Sequence, residues 1–104
     1  MVVVEVTSKE DFESAAKGIT IVDFSAEWCG PCHHISPYFK ELSDSADYAG
    51  LPFIKVDVDK VADVAEKAGI QAMPTFQVWK EGVKLEEFTG AEKVKLKELC
   101  EKYK

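Results

Sequence analysis

The side chains able to do chemistry cluster in residues 23–37, which read Asp-Phe-Ser-Ala-Glu-Trp-Cys-Gly-Pro-Cys-His-His-Ile-Ser-Pro. Cys29 and Cys32 are separated only by Gly30 and Pro31. An apolar run precedes the pair and a helical pattern follows it, so both thiols are expected at a strand-to-helix junction. The first amide N–H groups of a helix have no intrahelical partner, and the helix dipole there favours negative charge. A thiol held at that point loses its proton more readily, and the thiolate is the reactive form. The spacing therefore predicts one nucleophilic sulfur with a second in reach. Two buried structural cysteines are the alternative.

Other chemistry can be read from the same residues. Cys29-Gly30-Pro31-Cys32-His33 satisfies the Cys-x-x-Cys-His pattern of covalent haem attachment. No secretory signal accompanies it, and the strand-rich layout is unlike a small haem cytochrome. Cys29, Cys32, His33 and His34 also offer thiolate and imidazole ligands for zinc or copper. Adjacent helical residues point about 100° apart, so the two histidines do not readily close one tetrahedron with the cysteines. His33 and His34 are read as exposed helix-surface residues, and no metal site is expected.

Asp23 lies six residues before Cys29, inside the apolar run. Burying a carboxylate without a partner raises its pKa. A shifted acid close to a reactive thiol is a candidate general base. Lys55, in a later strand, is its candidate charge partner, with an ordinary surface lysine as the alternative. Cys100 is the third thiol. It is read as a small core residue, with an oxidation-sensitive thiol that links dimers as the alternative.

The elements that must position these groups follow from period and punctuation. Val2–Val6 is rich in β-branched residues and reads as a strand. Thr7 with Glu10, or Ser8 with Asp11, fits a capping box for a first helix. Phe12, Ala15, Ala16 and Ile19 would form its apolar face, and Gly18 its end. Residues 19–26 are nearly continuous in apolar side chains, as in a strand covered on both faces. A second helix carries Cys32, Ile35, Phe39, Leu42 and Ala46 on one stripe, with Pro37 expected to kink it. Gly50-Leu51-Pro52 turns into a third strand, 53–58. Asp59 would cap a short helix with Val61, Val64, Ala65 and Ala68 inward, closed by Gly69. Strands 76–80 and 83–89 form a hairpin about Glu81-Gly82. Trp79 belongs to the first of them and is read as packing. Gly90 breaks the second strand, and 91–103 is a final helix with Leu96, Leu99, Cys100 and Tyr103 on one face.

The order βαβαβαββα demands parallel pairing early and a hairpin late. That makes an α/β fold with a central mixed five-stranded sheet flanked by four helices. At 104 residues the chain is read as a single domain, 1–104, with enough core to need no disulfide staples. All 13 basic residues are lysine and the net charge is −6, so nucleic acid is not an expected partner. No apolar run approaches the roughly 20 residues of a membrane span. Met1 is read as the primary start, with no leader segment. Three unevenly placed cysteines suit a reducing compartment, where a close pair is catalytic or metal-binding.

Trp28-Cys29-Gly30-Pro31-Cys32, preceded by Asp23 and followed by Pro37, Met73-Pro74-Thr75 and Gly90, resembles the thioredoxin family of the eukaryotic cytosolic kind. The likeness runs over essentially the whole chain. It implies the thioredoxin fold and reduction of protein disulfides by dithiol–disulfide exchange. It implies Cys29 as attacking nucleophile and Cys32 as the resolving thiol, with Asp23 deprotonating Cys32. It also places Trp28 on the rim over the disulfide and makes Met73-Pro74 a cis-proline loop facing the cysteines. Gly90 and Ala91 complete a shallow groove with Trp28, Met73 and Pro74. Gly30 and Pro31 supply the tight turn and the fixed φ of the first helical positions.

Further implications concern partners. An NADPH-dependent, FAD-containing thioredoxin reductase would recycle the oxidised form, so NADPH and FAD belong to that partner and the chain binds no cofactor. Targets would include peroxiredoxins, methionine sulfoxide reductase or ribonucleotide reductase. A monomer in the cytoplasm is expected. Glutaredoxins of similar fold usually carry Cys-Pro-Tyr-Cys and disulfide isomerases Cys-Gly-His-Cys, so Gly30-Pro31 favours the reducing branch. His33-His34 departs from the basic-then-apolar pair common in the family. A redox-independent binding module using the same groove is the competing function.

Overall fold

The computed structural model describes residues 3–104. Val2, assigned above to the first strand, lies outside the described residues. Five strands and four α-helices alternate as β1 (Val4–Val6), α1 (Lys9–Ala15), β2 (Ile19–Ser25), α2 (Gly30–Asp44), β3 (Phe53–Asp57), α3 (Ala62–Ala68), β4 (Thr75–Lys80), β5 (Val83–Thr89) and α4 (Lys93–Tyr103). The strands form one sheet in the order β1-β3-β2-β4-β5. β1 and β2 pair parallel with β3, while β4 runs antiparallel to both β2 and β5. The mixed sheet follows from its connections. Crossover helices return β2 and β3 parallel, and the two-residue turn at Glu81-Gly82 returns β5 antiparallel. Both turn residues have positive φ, +49° and +82°.

Successive side chains of a strand face opposite sides, so each central strand feeds two cores. Ile21, Phe53, Phe76 and Val78 pack with Ile35, Phe39 and Leu42 of α2 and Leu96, Leu99 and Cys100 of α4. Val22, Phe24, Ile54, Val56 and Trp79 pack with Phe12 of α1 and Val64 and Ala68 of α3. β2 is therefore covered on both faces, as its continuous apolar run implied.

Several boundaries differ from the sequence reading, each for a local reason. α1 is capped by Ser8, whose side chain accepts the Asp11 N–H at 3.0 Å, while Asp11 reaches back to the Thr7 N–H at 3.2 Å. It ends at Ala15, so Ile19 opens β2 and does not lie on the helix face. Gly18, at φ +66°, makes the reversal between them. α2 stops at Asp44 because Ser45 turns to cap a single 3-10 turn, Ala46–Tyr48. Ala46 is thereby exposed, off the stripe expected to hold it, and Tyr48 is the buried residue. Pro37 lies within α2, where its missing N–H leaves the His33 carbonyl without its usual donor.

β3 ends at Asp57, one residue early, and β4 gains Thr75. α4 starts at Lys93, because Glu92 has extended backbone at the N-cap position. Asp59 does not cap α3. Val61 occupies the N-cap with no side-chain bond, and Asp57 Oδ1 instead accepts the N–H groups of Asp59 and Lys60 at 2.9 and 3.2 Å. Gly69 closes α3 in the left-handed region at φ +75°, as expected. Among the described residues no helix is long and apolar enough to cross a membrane.

Candidate active site

The reactive pair is built where β2 hands over to α2. β2 is fixed on both sides by hydrogen-bonded neighbours, and its last residue, Ser25, pairs with Asp57 of β3. The chain then turns through 26–29 and enters α2 with Gly30 and Pro31 at its first positions. Proline there loses nothing, since its N–H would be an orphan in any case. Cys29 is the N-cap, and its Sγ accepts the Cys32 N–H at 3.2 Å. Cys29 and Cys32 form a disulfide with Cα atoms 5.3 Å apart. Ala26, Val58 and Met73 pack around the two sulfurs, which are almost closed to solvent.

The two positions are chemically unequal. A sulfur at the N-cap receives a backbone donor and the positive end of the helix dipole. A charge forming on Cys29 is stabilised by both. Cys32 lies one turn along, inside the apolar shell.

Asp23 sits on the strand leading to this junction, on the sheet face that α2 covers. It is 1% exposed, and among the described residues its Oδ1 is the one buried side-chain polar atom without a hydrogen-bond partner. Burial pushes its carboxyl up to about 7, against the smaller opposing pull of the Lys55 ammonium. The register explains that pull: Lys55 is Asp23's partner across the β2–β3 ladder, and Phe76 is its partner across β2–β4. A buried acid that titrates near neutrality and spends no lone pair on a backbone donor can take or give a proton at working pH.

Around the sulfurs, Trp28 is 69% exposed, and its indole N–H donates to Asp59 Oδ2 at 2.9 Å. Met73-Pro74 is cis, and the half-buried Met73 leans on the cysteine pair. Gly90 has φ +105°, a region that favours glycine, and its N–H donates to the Pro74 carbonyl at 2.9 Å. That bond ties the end of β5 to the proline loop. Ala91 is half-buried and packs against the core shared with α4. His33 and His34 are exposed, and the His33 ring bonds the Glu27 carbonyl through Nε2 at 2.6 Å. Among the described residues no cluster of three His, Cys, Asp or Glu is placed to hold a metal ion.

Two members of this surroundings were not visible in the sequence. Asp59 was read as a helix cap and instead holds Trp28. Glu27 pairs with Lys60 at 2.9 Å across the same loops. Neither has a local signal, since the partners are about thirty residues apart and meet only when β2 and β3 lie side by side. Cys100 lies in the α2/α4 core at 0% exposure, and burial first, then Glu101, pushes its thiol up to about 12.

Comparison with known proteins places these features. The family model described as Thioredoxin matches residues 3–102. Thioredoxin 1 of Plasmodium falciparum is 48% identical over 100 residues, covering 94% of each chain. Thioredoxin H-type of Chlamydomonas reinhardtii is 58% identical over 84 residues, 80% of this chain and 73% of that protein. The solved structure of Plasmodium falciparum thioredoxin superposes with a TM-score of 0.91 at 47% identity, covering 98% of this chain and all of that one.

Proposed function

The chain belongs to the thioredoxin family, and from that premise we propose how its site works. It is a thiol–disulfide oxidoreductase, and its activity is the reduction of disulfides in other proteins. In the reduced form the Cys29 thiolate attacks one sulfur of a target disulfide. One target sulfur leaves as thiolate and the other is held on Cys29. Asp23 takes the proton from Cys32. The Cys32 thiolate then attacks Cys29 Sγ, the mixed disulfide breaks, and the target's second sulfur leaves. Two electrons pass to the target, and the Cys29–Cys32 disulfide remains.

Three residues prepare the pair for this. Gly30 and Pro31 set the short turn, and Lys55 moderates the charge on Asp23. The target strand lies over Trp28, Met73, Pro74, Gly90 and Ala91, with backbone pairing to the proline loop. A strand docked on an open groove needs no deep cavity. The oxidised form returns to dithiol through an NADPH-dependent thioredoxin reductase, whose FAD and NADPH stay on that enzyme. Peroxiredoxins, methionine sulfoxide reductase and ribonucleotide reductase are the target classes. We place the chain in the cytoplasm as a single-domain monomer.

The observation that carries this reading is the asymmetry of the pair: Cys29 Sγ is the N-cap acceptor of α2, and Cys32 is the donor residue one turn inside. The test is to trap the intermediate. Cys32→Ser should accumulate a mixed disulfide on Cys29 with an oxidised protein substrate, and Cys29→Ser should accumulate none. Equal trapping by both variants, or trapping on residue 32 alone, would reverse the assignment.

A further inference from the structure

Asp23 is closed to bulk solvent, and a proton it takes from Cys32 either goes back to Cys32 when the disulfide is next reduced or passes outward. Lys55, its neighbour across the β2–β3 ladder, forms part of the wall of a cavity of about 550 Å³ between the start of α2 and strands β1 and β3. The other polar groups on that wall are Glu5 of β1 and His33, Ser36 and Lys40 of α2. A cavity of this size with several polar partners can hold ordered water.

His33 is placed differently from the rest. Its Nε2 lies 2.6 Å from the Glu27 carbonyl, which can only accept, so Nε2 carries the hydrogen of that bond. The ring is thereby fixed at the cavity wall, and Nδ1 is the nitrogen that gains or loses a proton without breaking the tether. Imidazole is the side chain whose ordinary titration falls in the neutral range.

We infer that His33 is the solvent-side proton carrier for Asp23, working through the cavity walled by Lys55. The proton leaves Cys32 Sγ for the Asp23 carboxylate, passes by water in the cavity to His33 Nδ1, and is lost to bulk buffer; no electron moves in this leg. His33 touches neither sulfur and acts only through Asp23, so it is a positioning residue for the proton. The charges facing it are Glu5 from β1, Lys55 from β3 and Lys40 from α2, with the Glu27 carboxylate beyond its carbonyl engaged by Lys60. The inference rests on Asp23 as the base for Cys32.

The experiment measures protein-disulfide reduction at pH 6.5 in weak buffer, with a small dithiol recycling the enzyme and added imidazole as the variable. The proteins are the parent, His33→Lys, Asp23→Asn and the double variant. Lysine at this exposed position can still donate to the Glu27 carbonyl, so a purely structural role would survive. His33→Lys should turn over more slowly, by about tenfold or less, below the roughly hundredfold or more of direct acid–base participation. Imidazole should restore it. Imidazole should leave the parent and both Asp23→Asn proteins unchanged. A His33→Lys rate equal to the parent's, or a deficit that imidazole does not restore, overturns the role of His33 while leaving Asp23 in place. An Asp23→Asn protein as fast as the parent overturns the base assignment itself, and the relay with it.

Discussion

Cys29 and Cys100 are both helix-borne thiols shut away from solvent, at 5% and 0% exposure. Cys29 stands at the N-cap of α2, with a backbone N–H aimed at its sulfur and a second cysteine bonded to it. Cys100 stands in the last turn of α4 among Ile35, Leu96, Leu99 and other apolar side chains, and its thiol is pushed up to about 12. The negative end of the helix dipole opposes a thiolate there, as does the loss of hydration. Burial is common to the two sites and does not separate them. The end of the helix and the nearest donor do.

The widest gap this contrast predicts is in alkylation. At pH 8 a thiol titrating near 12 is ionised to about one part in ten thousand, roughly a thousandfold less than an ordinary cysteine. Iodoacetamide on the reduced, folded protein should therefore label Cys29 at least about a thousandfold faster than Cys100, as read by peptide mass. Comparable rates would erase the distinction.

Next in size is Asp23→Asn, which tests whether the sulfur at 32 depends on a local base as the one at 29 does not. Resolution of the mixed disulfide should slow by about a hundredfold or more, with its formation little changed. Equal slowing of both steps would count against the assignment. The same substitution has a stability signature. In the fold Asp23 titrates at about 7, against 3.8 as its ordinary value, so the folded state holds the proton more tightly. Its contribution to stability is fully present below about pH 4 and is lost as pH rises to 7. The difference is worth up to about 4 kcal/mol. Asn at this position should be more stable than the parent at pH 8 and should lack that slope in denaturant titrations.

How far the sequence carried this account varied with the kind of interaction involved. Residues linked by local period or punctuation were legible. Asp23, Cys29, Cys32 and the hairpin at Glu81-Gly82 all followed from spacing, whereas Lys55 had two readings until the β2–β3 register set it opposite Asp23. The cis bond at Pro74 had no physical signal of its own and was reached through family likeness. What spacing could not supply were contacts between loops far apart in the chain. Asp59 looked like a cap because Asp at a turn usually is one, but Asp57 sits two residues earlier, already inside β3, and takes the free N–H groups first. That leaves Asp59 for the indole of Trp28. Ala46 continued a helical stripe on paper, yet the Ser45 side chain accepted the Asp47 N–H and turned the chain into a new cap.

Smaller effects sharpen the same contrast. Cys100→Ala removes a buried sulfur from a packed core and should cost about 1 kcal/mol in chemical denaturation, with disulfide reduction unchanged. The parent under peroxide should stay monomeric on a non-reducing gel, as should the variant. A dimer that needs Cys100 would show that α4 opens. Asp59→Ala should do least. It removes one exposed hydrogen bond, worth about 1 kcal/mol or less, and should show mainly as altered Trp28 fluorescence on reduction. A loss of activity comparable to Asp23→Asn would mean that the rim tryptophan is part of the chemistry.

The central claim is that the Cys29–Cys32 pair is a donor of electrons to other proteins, and its redox equilibrium tests that most directly. The protein would be equilibrated in glutathione buffers of graded composition, quenched by alkylation and read by mass. For a two-electron couple about 30 mV corresponds to about 1.4 kcal/mol, so modest differences resolve cleanly. The account predicts a pair markedly more reducing than glutathione, oxidised across most of the series. A pair that equilibrates with glutathione or lies above it, or a pair that forms no disulfide at all, would contradict it.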